Sequence, residues 1–255
     1  MAASKGRYLY GLIRAGAAGP LGCLGLEDEG EARPVYALQV DSVAAVLSEY
    51  SARQRVLPVR KNLDPHNTVI REIMKTTTII PMTFGHVAKS EQEVMRALRR
   101  NLEDIRTELD RLDGKVEMGL KVLWDVDNIF EYFVGLDPEL AAFRDEIFGR
   151  SRAPTVAEKM ELGRLFEEQL TTQREQQAQR VVETLGACSA ELRVNPPKDE
   201  KTVMHLAFLI EREKLKMFEE KVYEVAATFP THYVFDYNGP WAPFHFVELD
   251  LRTAA

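Results

Sequence analysis

Five histidines, two cysteines and a closely spaced pair of aspartates are the first places to look for chemistry in this chain. A zinc-dependent hydrolase needs ligands that share one face, such as two histidines a helical turn apart, but His66, His86, His205, His232 and His245 form no HExxH pattern and no i,i+4 pair. His205 alternates with Met204 and Leu206, which reads as a sheet residue with a satisfied hydrogen bond. His232 and His245 flank the last turn. Asp125 and Asp127 in WDVDN could hold a hard cation or carry a proton, yet Asp and Asn are also the residues that end a strand and cap the next helix. Gly19, Gly22 and Gly25 match neither GxGxxG nor GxxxxGK[ST], so a turn is the expectation rather than a phosphate loop. Thr76, Thr77 and Thr78 have no GxSxG elbow nearby and read as β-propensity. Cys23 and Cys188 are far apart in sequence, and neither belongs to a CxxC pair. No catalytic, cofactor-binding or metal-binding residue is assigned, and no enzyme is expected.

The aromatic end is different. Tyr233, Phe235, Tyr237, Trp241, Phe244 and Phe246 supply more ring surface than one strand needs. Such residues either close a core or contact a partner, where aromatics are favoured at interface centres.

Bulk properties narrow the class. A chain of 255 residues with 45% hydrophobic and 29% charged residues is ordinary for a folded protein and long enough for two domains. A net charge of −7 argues against a phosphate-backbone binder, which needs a dominant basic face. Nucleic acid is therefore not expected as a partner. After Arg7 only six residues pass without charge, too few for a signal-peptide core or a membrane span. A cytoplasmic protein without a membrane partner is the expectation.

The elements that must position these residues follow from periodicity. YLYGLI from Tyr8 reads as a first strand and AGAAGPLGCLG as a turn-rich connection. Val35–Val40 and Val43–Tyr50 suggest a hairpin around Asp41 and Ser42, although alanines in the second run permit a short helix. Asp64–Thr76 has one apolar helical face. TTTIIPMTFG is a strand with a defect at Pro81, which cannot donate a ladder hydrogen bond. Ser90 and Glu93 form a capping-box pattern that opens one long helix ending at Asp113 and Gly114. Lys115–Trp124 alternates as a strand. A helical insertion spans Ile129–Phe148, and Thr155 with Glu158 opens a helix reaching about Leu185, roughly 45 Å long. Its middle, TTQREQQAQ, is polar nearly all round and is expected to project or fray. Strands over Ser189–Val194 and Thr202–Ile210, a helix over Glu213–Phe229 and a last strand with an aromatic flap complete the chain.

These elements predict an α+β protein of two domains. Residues 1–112 give an N-terminal mixed sheet with covering helices. Residues 113–255 follow the strand, helix, strand, strand, helix, strand order of a modified ferredoxin-like sandwich with a helical insertion.

Five segments carry a resemblance: YLYGLI, IIPMTFGHV, GKVEMGLKVLWD, HLAFLIEREKLKMFEEKV and FPTHYVFDYNGPWAPFHFVEL. In this order they resemble the gas vesicle protein F and L family over nearly the whole chain. The resemblance implies a two-domain α+β accessory protein of gas vesicles, with no catalytic residues to carry over and no cofactor. Its implied partners are the major shell subunit, gas vesicle protein A, and other accessory proteins during nucleation and assembly. It places the protein in the cytoplasm and at the gas vesicle. Partner contact is expected in IIPMTF and GPWAPF, at Pro81, Met82, Phe84, Trp241 and Phe244. The alternative from another class is a small-molecule enzyme or sensor that uses a cleft between the domains, with Asp125, Asp127 and His245 as its polar groups.

Overall fold

The structure is a computed structural model that describes residues 5–16, 19–51 and 55–250. Residues 1–4 of the opening segment and residues 17–18 of the glycine-rich connection lie outside it. The chain forms two compact units: one made of the described residues up to Glu117 together with those from Pro240 onward, the other of Met118–Gly239. A division drawn at 112/113 alone does not capture this arrangement, because the tail after Gly239 belongs with the first unit.

The first unit is built on a six-stranded sheet. Its strands are β1 (Lys5–Arg14), β2 (Gly19–Asp28), β3 (Glu31–Val40), β4 (Val43–Ser51), β5 (Ile79–Pro81) and β6 (Val87–Ala88). The order is β2-β3-β4-β1-β5, and β6 also pairs with β1. The β3–β4 hairpin closes through Asp41, at φ 56°, and Ser42, so the strand reading holds over the helical one. Val43 to Leu47 are all buried, which a sheet covered on both faces requires.

The glycine-rich connection is not a loop. Most of it is the edge strand β2, whose pairing with β3 shifts register between Pro20 and Leu24 and again between Leu24 and Glu27. Bulges of this kind let an edge strand hold glycine and proline. Gly25 serves close packing: a Cβ there would stand 1.9 Å from the Tyr10 hydroxyl.

Helix α1 (Arg60–Met74) starts ahead of the expected Asp64 and buries Val69, Ile70, Ile73 and Met74. Each such side chain contributes about 1.5–3 kcal/mol when withdrawn from water. The single long helix expected over 90–112 is two, α2 (Glu91–Arg100) and α3 (Leu102–Leu112). Buried Asn101 breaks it, because its Nδ2 donates to the Ala97 carbonyl at 2.8 Å and competes with the backbone ladder. The capping serine works as expected, with Glu93 N–H donating to Ser90 Oγ, but the Glu93 carboxylate reaches back to Lys89 N–H rather than to Ser90 N–H.

The second unit carries a four-stranded sheet ordered β10-β7-β9-β8, with β7 (Lys115–Trp124), β8 (Glu191–Asn195), β9 (Thr202–Glu211) and β10 (Tyr233–Trp241). Placing the first and third strands of this half side by side gives the split βαβ arrangement that the element order predicts. The insertion is two helices, α4 (Ile129–Leu136) and α5 (Pro138–Phe148). Pro138 forces the break, and Asp137 caps α5 through the Glu139 and Leu140 amides.

Helix α6 (Val156–Gly186) is continuous over 31 residues and opens with the expected Thr155–Glu158 capping box. Its polar middle neither projects nor frays. Leu170 and Val181 are buried on either side of it, and Arg174 between them donates to the carbonyls of Thr202, Asp199 and Glu200 while its guanidinium stands 6.0 Å from the Trp124 ring centre. Helix α7 (Leu215–Ala226) buries Phe218, Val222 and Val225 on the same core.

Candidate functional site

Within the first unit, β1 changes parity. A register shift against β4 between Leu9 and Gly11 inserts a bulge, so Tyr8 and Tyr10 point toward α1 while Leu9 and Leu12 both line a groove beside α2. Two backbone bonds fasten the segment after β5 along β1: Met82 N–H donates to the Tyr10 carbonyl and Leu9 N–H to the His86 carbonyl, each at 2.9 Å. Pro81 sits opposite Gly11 at the end of β5.

The turn between β5 and β6 is held from below by an aromatic cluster. Gly85 N–H donates to the Tyr8 hydroxyl at 3.1 Å, and that hydroxyl meets His66 Nδ1 at 2.9 Å. Phe84 packs edge-on against the Tyr8 and His66 rings. His66 is 2% exposed, and burial pushes its imidazole down to about 4, so it is neutral near pH 7 and can accept from Tyr8. Its Nε2 faces the Met82 backbone without a hydrogen bond of ordinary geometry. Burial also raises the Tyr8 phenol.

The opposite wall is the tail. Glu117, 4% exposed, accepts from the His245 backbone N–H at 2.8 Å and meets its Nδ1 at 2.6 Å. Glu108 accepts from Glu248 N–H at 2.8 Å and pairs with Arg111, whose guanidinium also donates to the Phe246 carbonyl. Burial alone would raise Glu108, but Arg111 and the Glu248 amide outweigh it and hold the carboxyl below its usual range. Phe246 is fully buried beneath this clasp.

The result is a groove of about 470 Å³ between β1, the β5–β6 segment, α2 and the tail. Three of the five sequence-predicted contact residues, Pro81, Met82 and Phe244, line it. Phe84 instead belongs to the aromatic cluster that supports the turn, and Trp241 is 41% exposed at the start of the tail. Val94, Ala97 and Leu98 of α2 complete the wall. Their helical spacing marks them as core, and nothing in the spacing says that the core opens there. The two clasping glutamates were equally hidden, since Glu117 lies in an alternating strand and Glu108 in an amphipathic helix.

Several of the polar groups considered for chemistry have structural partners, and Asn128 rather than Asp125 or Asp127 caps α4, the helix that follows β7. The Asn128 side chain accepts from the Phe130 and Glu131 amides, and Asp125 N–H donates to the His232 carbonyl. His232 Nε2 meets the Tyr132 hydroxyl, His86 Nε2 meets Thr83 Oγ1, and His205 lies in β9 opposite Asn195. Thr78 Oγ1 donates to Asp113 and accepts from Gly114 N–H. Among the described residues no group of His, Cys, Asp and Glu is arranged to hold a metal ion, and no helix is long and apolar enough to cross a membrane.

Comparison with known proteins gives one consistent answer. The family described as gas vesicle synthesis protein GvpL/GvpF matches residues 6–248. A curated relative, gas vesicle protein F of Dolichospermum flosaquae, is 27% identical, with 95% of this chain aligned to 98% of that protein. The crystal structure of the gas vesicle protein GvpF from Anabaena sp. PCC7120 superposes with a TM-score of 0.81 at 26% identity, covering 97% of this chain and 100% of that one. That of GvpF from Microcystis aeruginosa has the same fold, with a TM-score of 0.78 at 23% identity over 96% of this chain and 99% of that one.

Proposed function

Because the chain belongs to the gas vesicle synthesis protein GvpL/GvpF family, we propose that it is a non-enzymatic assembly factor that binds the major shell subunit, alone or with other accessory proteins, during gas vesicle nucleation. It acts in the cytoplasm and at the growing vesicle, and keeps apolar subunit surface from aggregating.

One observation carries this reading. The segments 79–88 and 244–250, far apart in sequence and both part of the resemblance to the family, wall one apolar groove in the first unit. Apolar surface of this kind takes up apolar side chains from a partner, since burial from water drives most association. Pro81, Met82 and Phe244 contact the partner directly, Trp241 extends the surface, and Phe84 holds the turn that carries Met82.

Co-expression with the shell subunit, followed by centrifugation and gel filtration, tests the proposal. Soluble subunit that co-elutes with this chain supports it. Insoluble subunit beside a free chain overturns it.

A further inference from the structure

The groove has a charge asymmetry that the assembly reading leaves unused. Its walls are mainly apolar, yet Glu93 of α2 and Asp250 of the tail line it together with Thr83 and His86, and among the described residues no lysine or arginine does. Glu93 Oε2 accepts from Lys89 N–H at 2.6 Å, and among the described residues neither carboxylate forms an ion pair. A purely apolar entrant would strip water from these carboxylates and return nothing, which disfavours binding. An entrant that also brings a cation restores the lost solvation through a charge-assisted contact, while an acidic one is repelled. The cavity lies within the size range of sites that take a few side chains or a small ligand rather than a folded domain.

We propose that this groove recognises a short protein segment in which at least two large apolar side chains stand beside one lysine or arginine. The proposal rests on the assembly reading and deepens it by naming the chemistry of the partner segment. Lipids with anionic headgroups are disfavoured by the same two carboxylates. Specificity comes from the carboxylates and affinity from the apolar walls.

The test is selection of random short peptides displayed on phage against the immobilised full chain, compared with the double variant Glu93→Gln, Asp250→Asn. Both changes keep side-chain size, and glutamine at 93 can still accept from Lys89 N–H. Peptides enriched on the natural chain should combine basic and large apolar residues. On the double variant the basic enrichment should fall by about fivefold or more, the scale of one partly exposed ion pair, while the apolar enrichment stays. No enrichment, enrichment of apolar residues without basic ones, or the same basic enrichment on both proteins would overturn the proposal. Co-expression of the double variant with the shell subunit separates the two readings. Full solubilisation by the double variant sinks the charge rule and leaves the assembly role standing. Peptide selection as expected, beside a subunit that stays insoluble even with the natural chain, does the reverse.

Discussion

His66 links a buried hydrogen bond to the shape of the groove wall. Accepting from Tyr8 requires a neutral Nδ1, and burial holds its pKa at about 4, below the ordinary 6.5. The folded state therefore binds fewer protons than the unfolded state between these values, and the stability present above pH 6.5 is lost as pH falls toward 4. Over pH 6.5 to 4.5 this group alone should remove about 2 kcal/mol. Thermal melts should show a falling Tm in that window for the natural chain and a flatter profile for His66→Gln, even though the variant starts lower at pH 7. Parallel profiles would show that another group titrates there. Glu117 supplies a second prediction at this scale. In Glu117→Gln the side chain keeps its size but loses the charge that holds His245, so hydrogen exchange at the His245 and Glu248 amides should accelerate, with stability reduced by about 1–2 kcal/mol. Unchanged exchange would mean that the remaining contacts hold the tail alone.

Among the elements, α6 makes the sharpest prediction. Its polar middle is anchored by Arg174 through three backbone carbonyls and the Trp124 ring. Arg174→Ala should cost about 1–3 kcal/mol and raise exchange in residues 171–180, whereas Arg164→Ala, which among the described residues pairs with Glu161 and Glu168 on the same helix at the surface, should leave stability nearly unchanged. Similar effects of the two changes would contradict this account of the helix. Arg174 also shows why sequence reading stops where it does. A row of polar residues carries no sign that one of them will find three carbonyls at the start of β9 and in the turn before it, 25 residues or more away. Where side-chain alternation or capping chemistry is local, as in β7 and at Thr155, the element was legible. The glycine-rich edge strand β2 was not, because its pairing with β3 and the fit of Gly25 against Tyr10 are tertiary facts. The helix break at Asn101 falls between these cases: an asparagine in mid-helix is a visible signal, but an unbroken apolar stripe on both sides outweighs it.

For the molecule as a whole, the split βαβ order of the second half could be read from the sequence of elements, and the family from the order of five motifs. The groove could be read only in part. Pro81 and Met82 stand out in a strand interrupted by proline and Phe244 in an aromatic flap, but their meeting depends on the tail returning to the first unit and on two glutamates that clasp it there. Phe84 looked equivalent to Met82 from sequence, and the two separate because one side chain packs on His66 while the other lines the groove. The central claim, that this groove binds the shell subunit, is tested most directly by Met82→Glu. The carboxylate would replace apolar wall that takes up the entrant's large side chains, so affinity falls even for an entrant that also carries a cation. Co-expressed with the shell subunit, the natural chain should carry the subunit into the soluble fraction, and Met82→Glu, shown by its Tm to be folded, should leave most of it in the pellet. Equal solubilisation by both proteins would contradict the claim.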